Sequence, residues 1–192
     1  SFGGAIKNLG MGCGSRSGKL EMHSRVKPSV GAGCVLCDQC VEVCPANAIS
    51  TQGESALIDH SRCIGCARCI AACDAGAVSV PWEGATSREV MERCSEYACG
   101  AVLGKKLACL TFINKITSDC DCMGDSRLIG KDVGLAASAD PVACDQAAYD
   151  LTLSRHSGRD IFRETTGVDG RHILEYSEAI GLGKRDYELV EI

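Results

Sequence analysis

One cysteine frame is written twice between Cys34 and Cys73, and it constrains this chain more than anything else in it. The first copy is Cys34-x-x-Cys37-x-x-Cys40-x-x-x-Cys44-Pro45, and the second is Cys63-x-x-Cys66-x-x-Cys69-x-x-x-Cys73-Asp74. This spacing is the bacterial-type run for a [4Fe–4S] cluster, and two runs in tandem imply two cubanes. Two-residue gaps wrap three thiolates around one face of a cluster. The fourth cysteine follows a longer gap and is carried by a short helix to the neighbouring cluster. The expected ligand sets are therefore Cys34, Cys37, Cys40 and Cys73 for one cluster, and Cys63, Cys66, Cys69 and Cys44 for the other. A zinc site takes four ligands in two pairs, which a doubled four-thiol run does not match.

The repeat runs past the ligands. An offset of 29 residues aligns Cys34–Ser50 with Cys63–Ser79 and matches Ala46 with Ala75, Ala48 with Ala77, and Ile49 with Val78. Each copy is expected to end in a short helix leading into an apolar strand start, with small strands at Leu57–Asp59 and Val78–Val80. This resembles the bacterial two-[4Fe–4S] ferredoxin module over residues 30–82, apart from Asp74 where the first copy has proline. Small residues at Gly31, Gly33, Gly65 and Ala67 suit close backbone approach to a cluster, where amides donate to sulfur and tune potential.

Eight of the fifteen cysteines are thus assigned, and the odd remainder of seven fits no disulfide framework. Cluster thiolates must stay reduced, so a cytoplasmic location is expected. No apolar stretch has the length of a membrane span. A net charge of −5 with 4% aromatic residues argues against nucleic-acid binding. The chain opens on Ser1 without methionine, as a processed, truncated or fragmentary chain would.

Around the module the sequence reads as an α/β (α+β) domain, with residues 1–29 and 83–192 as its two parts. A short helix over Gly3–Gly10 runs into a glycine-rich turn, Gly10–Gly18. Thr86 and Glu89 form a capping box before a helix that stops at Gly104. Leu107–Ile113 and Val133–Ser138 have strand composition. Asp140-Pro141 reads as an N-cap with proline at the first helical position, opening a helix to about Leu153. Helices over Gly158–Thr166 and His172–Ile180 and a terminal strand around Tyr187–Val190 complete a layered α/β arrangement. The glycine-rich turn is no phosphate loop, because Cys13 stands where the opening glycine belongs and Leu20 follows Lys19.

Among the other cysteines, Cys120-Asp121-Cys122 can present two thiolates to one metal. With Cys13 and His23 it makes a Cys₃His set for a third metal ion or a third iron–sulfur cluster. The alternative is that these cysteines serve as small buried hydrophobes, the expectation for Cys94, Cys99, Cys109 and Cys144. His60 is expected to cap a loop, and His156 and His172 to lie at helix ends or on the surface.

Several segments together resemble the family catalogued as domain of unknown function 362, whose members often carry an inserted two-cluster ferredoxin. They are Gly4–Cys13, Gly18-Lys19 with His23, the double cysteine run, Asp119–Cys122 and Ala139–Ala147. The resemblance implies an iron–sulfur protein, typically of an anaerobe. It also implies that an N-terminal half is missing, so this chain would be the C-terminal part of a larger domain or be completed by a further polypeptide. It strengthens the set Cys13, His23, Cys120 and Cys122, since the matching segments carry those residues. Three functions follow as expectations: low-potential electron transfer to a redox partner protein, a catalytic or metal-handling subunit using the Cys120/Cys122 site, and an accessory maturation protein. The first is favoured, because the clusters carry the chemistry and the protein supplies spacing and burial.

Overall fold

The computed structural model describes residues 3–24, 27–80, 84–120 and 126–191. They form an α+β fold divided into two units, residues 14–86 and residues 1–13 with 87–192. Among the described residues the three sheets are two-stranded and antiparallel, so the layered α/β arrangement gives way to separate two-stranded ladders and helices.

In the first unit the cysteine repeats set the topology. Helix α1 (Ala5–Lys7) belongs to the other unit; here the chain begins with α2 (Arg16–Ser24), then β1 (Ser29–Val30), α3 (Gln39–Glu42), β2 (Ile49–Gln52), β3 (Ser55–Ile58), α4 (Arg68–Ala71) and β4 (Val78–Ser79). Strand β2 turns into β3 through Gly53-Glu54, with Gly53 at φ 65°, as a tight hairpin with glycine first requires. The strand before the first copy, β1, pairs instead with the strand after the second, β4. This reciprocal pairing makes the module pseudo-two-fold. Each α3 residue has its counterpart in α4 exactly one repeat offset later, 29 residues on. Its core is small: Cys40, Ile49, Ala56, Cys69 and Val78.

The glycine-rich segment departs from expectation. Asn8–Gly12 forms a π-helical turn continuing α1 (Ala5–Lys7), and α2 starts at Arg16 where a turn was expected. The Ser15 hydroxyl accepts from the Gly18 amide at 3.1 Å, an N-cap that lets a glycine-containing run enter a helix.

In the second unit, α5 (Ser87–Val102) packs against α8 (His172–Ala179) and the π-helical turn. Ser177 donates to Ser95 at 2.8 Å in the buried α5–α8 seam, and Tyr176 reaches Glu96 at its exposed edge. The hairpin of β5 (Cys109–Ile113) and β6 (Gly134–Ser138) turns Cys109, Ile113 and Ala136 inward onto Cys144 and Ala148 of α6 (Pro141–Arg155). Asp140 caps α6 as its sequence predicts, accepting from Val142 at 2.7 Å and Ala143 at 3.1 Å. Helix α7 (Ile161–Thr166) is capped by Asp160.

The terminal strand expected at Tyr187–Val190 does not form. After α8 the chain is pinned to helices: Lys184 N–H donates to Asp140, Arg185 pairs with Glu178, and the Tyr187 hydroxyl donates to Asp150. These bonds hold it away from a sheet edge, and Leu189 and Val190 stay exposed. None of the helices among the described residues is long and apolar enough to cross a membrane.

Candidate metal centre

Six backbone positions bend the cysteine loops into shape, in three matched pairs. Leu36 and Gly65 (φ 56° and 67°), Asp38 and Ala67 (59° and 58°), and Asn47 and Gly76 (46° and 63°) all adopt left-handed conformations. Four of these are not glycine, and each such residue costs of order 1–2 kcal/mol. Wrapping three thiols at two-residue spacing around a common point demands this curl, so the strain repeats at the same offset as the cysteines.

Asp38 and Ala67 are the residues from which α3 and α4 start, so Cys40 and Cys69 sit in the first turns of those helices and are buried. Burial pushes the Cys40 thiol up, and that of Cys69 up to about 11. Cys44 and Cys73 lie two residues beyond the helices rather than on them, as the sequence reading had it. Each is held by a backbone amide four residues on: Ala48 N–H donates to Cys44 Sγ and Ala77 N–H to Cys73 Sγ, both at 3.2 Å. Ala56 N–H donates to Cys34 Sγ at 3.4 Å and Gly65 N–H to Cys63 Sγ at 3.5 Å.

The reciprocal strand pairing swings each fourth cysteine to the other copy. One small cavity is lined by Cys34, Cys37, Cys40 and Cys73, together with Val35, Leu36 and Ala77. A second is lined by Cys63, Cys66, Cys69 and Cys44 with Pro45 and Ile64. Both linings are almost wholly apolar apart from sulfur. No group of three or more His, Cys, Asp or Glu side chains among the described residues converges as a single-ion site does.

Of the remaining candidates, Cys122 lies outside the described residues. Cys13 is exposed just past the π-helical turn, and Cys120 is half-buried beyond the ladder that extends β5 and β6 through Ser118 and Arg127. His23 is in α2, in the first unit. Cys94, Cys109 and Cys144 are buried in the second unit, and burial raises all three thiols, Cys94 and Cys109 to about 11. Such thiols are unreactive at neutral pH. Cys99 is half-buried on α5. His60 Nε2 meets the Pro28 carbonyl at 2.9 Å, a loop cap as expected. His156 closes α6, and His172 opens α8 with Nε2 at 2.9 Å from Glu92.

Sequence reasoning missed Asp145. It is buried in α6 and accepts from the Ala5 and Ile6 amides at 2.6 and 2.9 Å. Burial pushes its carboxyl up to about 6. A Cβ on Gly4 would lie 2.4 Å from this carboxylate, so the glycine admits it. The recurrence of glycine and aspartate in otherwise apolar segments was the available signal.

Fold and site define an α+β protein of two units, one of them a pseudo-two-fold, thiol-lined cysteine module. The chain belongs to the family described as domain of unknown function (DUF362), which matches residues 1–150 and so spans parts of both units. No curated protein and no solved structure matches it.

Proposed function

We propose that this chain is an iron–sulfur protein with a ferredoxin-like module, holding two [4Fe–4S] clusters and passing single electrons to a redox partner protein. One observation carries the reading: each cavity is ringed by three thiols of one copy and the fourth of the other. Two further features support it. The linings are largely apolar, and the amides of Ala48, Ala56, Gly65 and Ala77 donate to the sulfurs of Cys44, Cys34, Cys63 and Cys73, where they would stabilise negative charge. When bound, such a cluster supplies one-electron chemistry at a potential set by charge, hydrogen bonds to sulfur and solvent exposure. The protein's part is to hold the thiolates, donate those hydrogen bonds and limit solvent.

Anaerobic quantification of iron and acid-labile sulfide, with electron paramagnetic resonance of the reduced protein, tests this. About eight of each per chain are expected. A stable preparation that takes up zinc in place of iron and no sulfide rejects the reading. An additional metal equivalent would instead point to Cys13, His23, Cys120 and Cys122 as a third centre.

A further inference from the structure

The two halves of the module share a backbone but not a surface. Helix α2 covers the second copy: Leu20 is buried with Ala67 and Val80, and Ser17 lies 3.8 Å from where a Cβ on Gly65 would stand. Cys66 is correspondingly half-buried, whereas its counterpart Cys37 is exposed. At the mouth of the first cavity Val35 is 66% and Leu36 41% exposed.

Apolarity alone does not separate the copies, because Ile64 is also exposed at the second mouth. Charge does. Residues 30–56 contain Asp38, Glu42 and Glu54 and no lysine, arginine or histidine. Asp74, which accepts from Gln39 of α3 at 3.2 Å, adds a fourth carboxylate, and all four are exposed. The matching stretch of the second copy also holds carboxylates, Asp59 among them, but offsets them with Arg62 and Arg68.

Strain points the same way. Leu36 stands at φ 56° where the second copy has Gly65 at 67°. A leucine in that conformation costs of order 1 kcal/mol or more over glycine and buries little in return. An exposed, strained apolar side chain at a cavity mouth suits contact with another protein.

We infer that the first copy's loop is the docking face for an external redox protein whose surface has an apolar centre and a basic rim. Val35 and Leu36 meet the apolar centre, and Asp38, Glu42, Glu54 and Asp74 meet the rim. The inference rests on the electron-transfer reading above. Cys34, Cys37, Cys40 and Cys73 would hold the group that supplies one electron, and the partner's oxidised centre would be reduced by that one electron. No bond or proton of the protein changes.

The test uses the anaerobic holoprotein, reduced and freed of reductant, with ferric cytochrome c as a basic one-electron probe. Asp38→Asn with Glu42→Gln is expected to slow the second-order reaction about fivefold at low ionic strength and to flatten its salt dependence. Leu36→Gly, which relieves the strain and so keeps the fold, is expected to slow it about threefold at every salt concentration. Glu188→Gln with Glu191→Gln removes equal charge elsewhere and should leave the rate unchanged. Carbodiimide coupling to the same probe, read by mass spectrometry, should join it through Asp38, Glu42, Glu54 or Asp74. Coupling confined to other carboxylates, or equal slowing by the two charge-neutralised pairs, overturns the docking face. Iron and sulfide are measured on every sample: their absence from the parent defeats the electron-transfer reading itself, and the docking face with it.

Discussion

Gly10 is a position where the second unit leaves no room for a side chain. It lies in the π-helical turn against α5, and a Cβ there would stand 2.1 Å from the Cys94 carbonyl oxygen and 2.9 Å from its Sγ. Ordinary contact begins near about 3.5 Å, so Gly10→Ala forces two backbones apart by roughly 1.4 Å. The nearest neighbour is a backbone carbonyl and cannot swing aside as the end of a flexible side chain would. The seam being opened also holds Ile6, Met91, Cys94 and Ala98, all at most 2% exposed. A gap of that size forfeits much of the dispersion energy along the seam, which places the loss at the upper end of overpacking, about 3 kcal/mol. Backbone entropy offsets only about 0.4–1 kcal/mol of the gross cost. The net loss is about 2–2.6 kcal/mol, and at about 4 °C per kcal/mol the midpoint should fall by about 8–10 °C. Thermal unfolding followed by far-ultraviolet circular dichroism reads this out, since most long helices are in that unit. Gly100→Ala is the control: it is in α5, has nothing within 4 Å of a new Cβ, and should raise the midpoint slightly. A Gly10→Ala midpoint within about 2 °C of the parent would refute the close-approach argument.

Other expectations can be checked alongside. Cys37→Ala should lose about half the iron and sulfide, and full retention of both would dismantle the ligand assignment. Cys120→Ala with Cys122→Ala should leave those contents unchanged; loss of all iron would make these thiols part of the module. Asp140→Ala removes the acceptor for Val142, Ala143 and Lys184 amides and should cost about 1–2 kcal/mol in urea unfolding, with an unchanged midpoint counting against the cap. Asp145 has a folded value near 6 against an ordinary 3.8, so the fold binds its proton more tightly than the unfolded chain does. Its contribution is complete below pH 4 and is lost as pH rises through about 6, amounting to roughly 3 kcal/mol. Stability measured from pH 4 to 7 should carry that downward component in the parent and lack it in Asp145→Asn.

Local chemistry made some of this legible in the sequence and left the rest hidden. Asp140-Pro141 announced α6 because cap, proline and helix formers agree within a few residues. The helices α3 and α4 were anticipated, since the thiol spacing leaves room for one turn. Helix α2 was not: Gly18 and its glycine-rich approach masked a start that Ser15 alone signals. The terminal strand failed for the opposite reason, as strand-like composition met no open partner and side chains tied the segment to helices. Left-handed Leu36, Asp38 and Ala67 carry no local signal, because the geometry of the whole loop imposes their conformation. The reciprocal strand pairing that brings Cys44 and Cys73 across is likewise a long-range property.

That pairing also speaks to ancestry. Each copy lends its last thiol and its last strand to the other, and within the module Gly53-Glu54 is the join between β2 and β3. Two identical short peptides meeting about a two-fold axis would arrive at the same arrangement by exchange. The module thus has the anatomy of a homodimer whose subunits were fused at a hairpin. One copy alone would lack both a strand partner and the fourth thiol of its cavity, and joining two copies in one chain makes that exchange intramolecular.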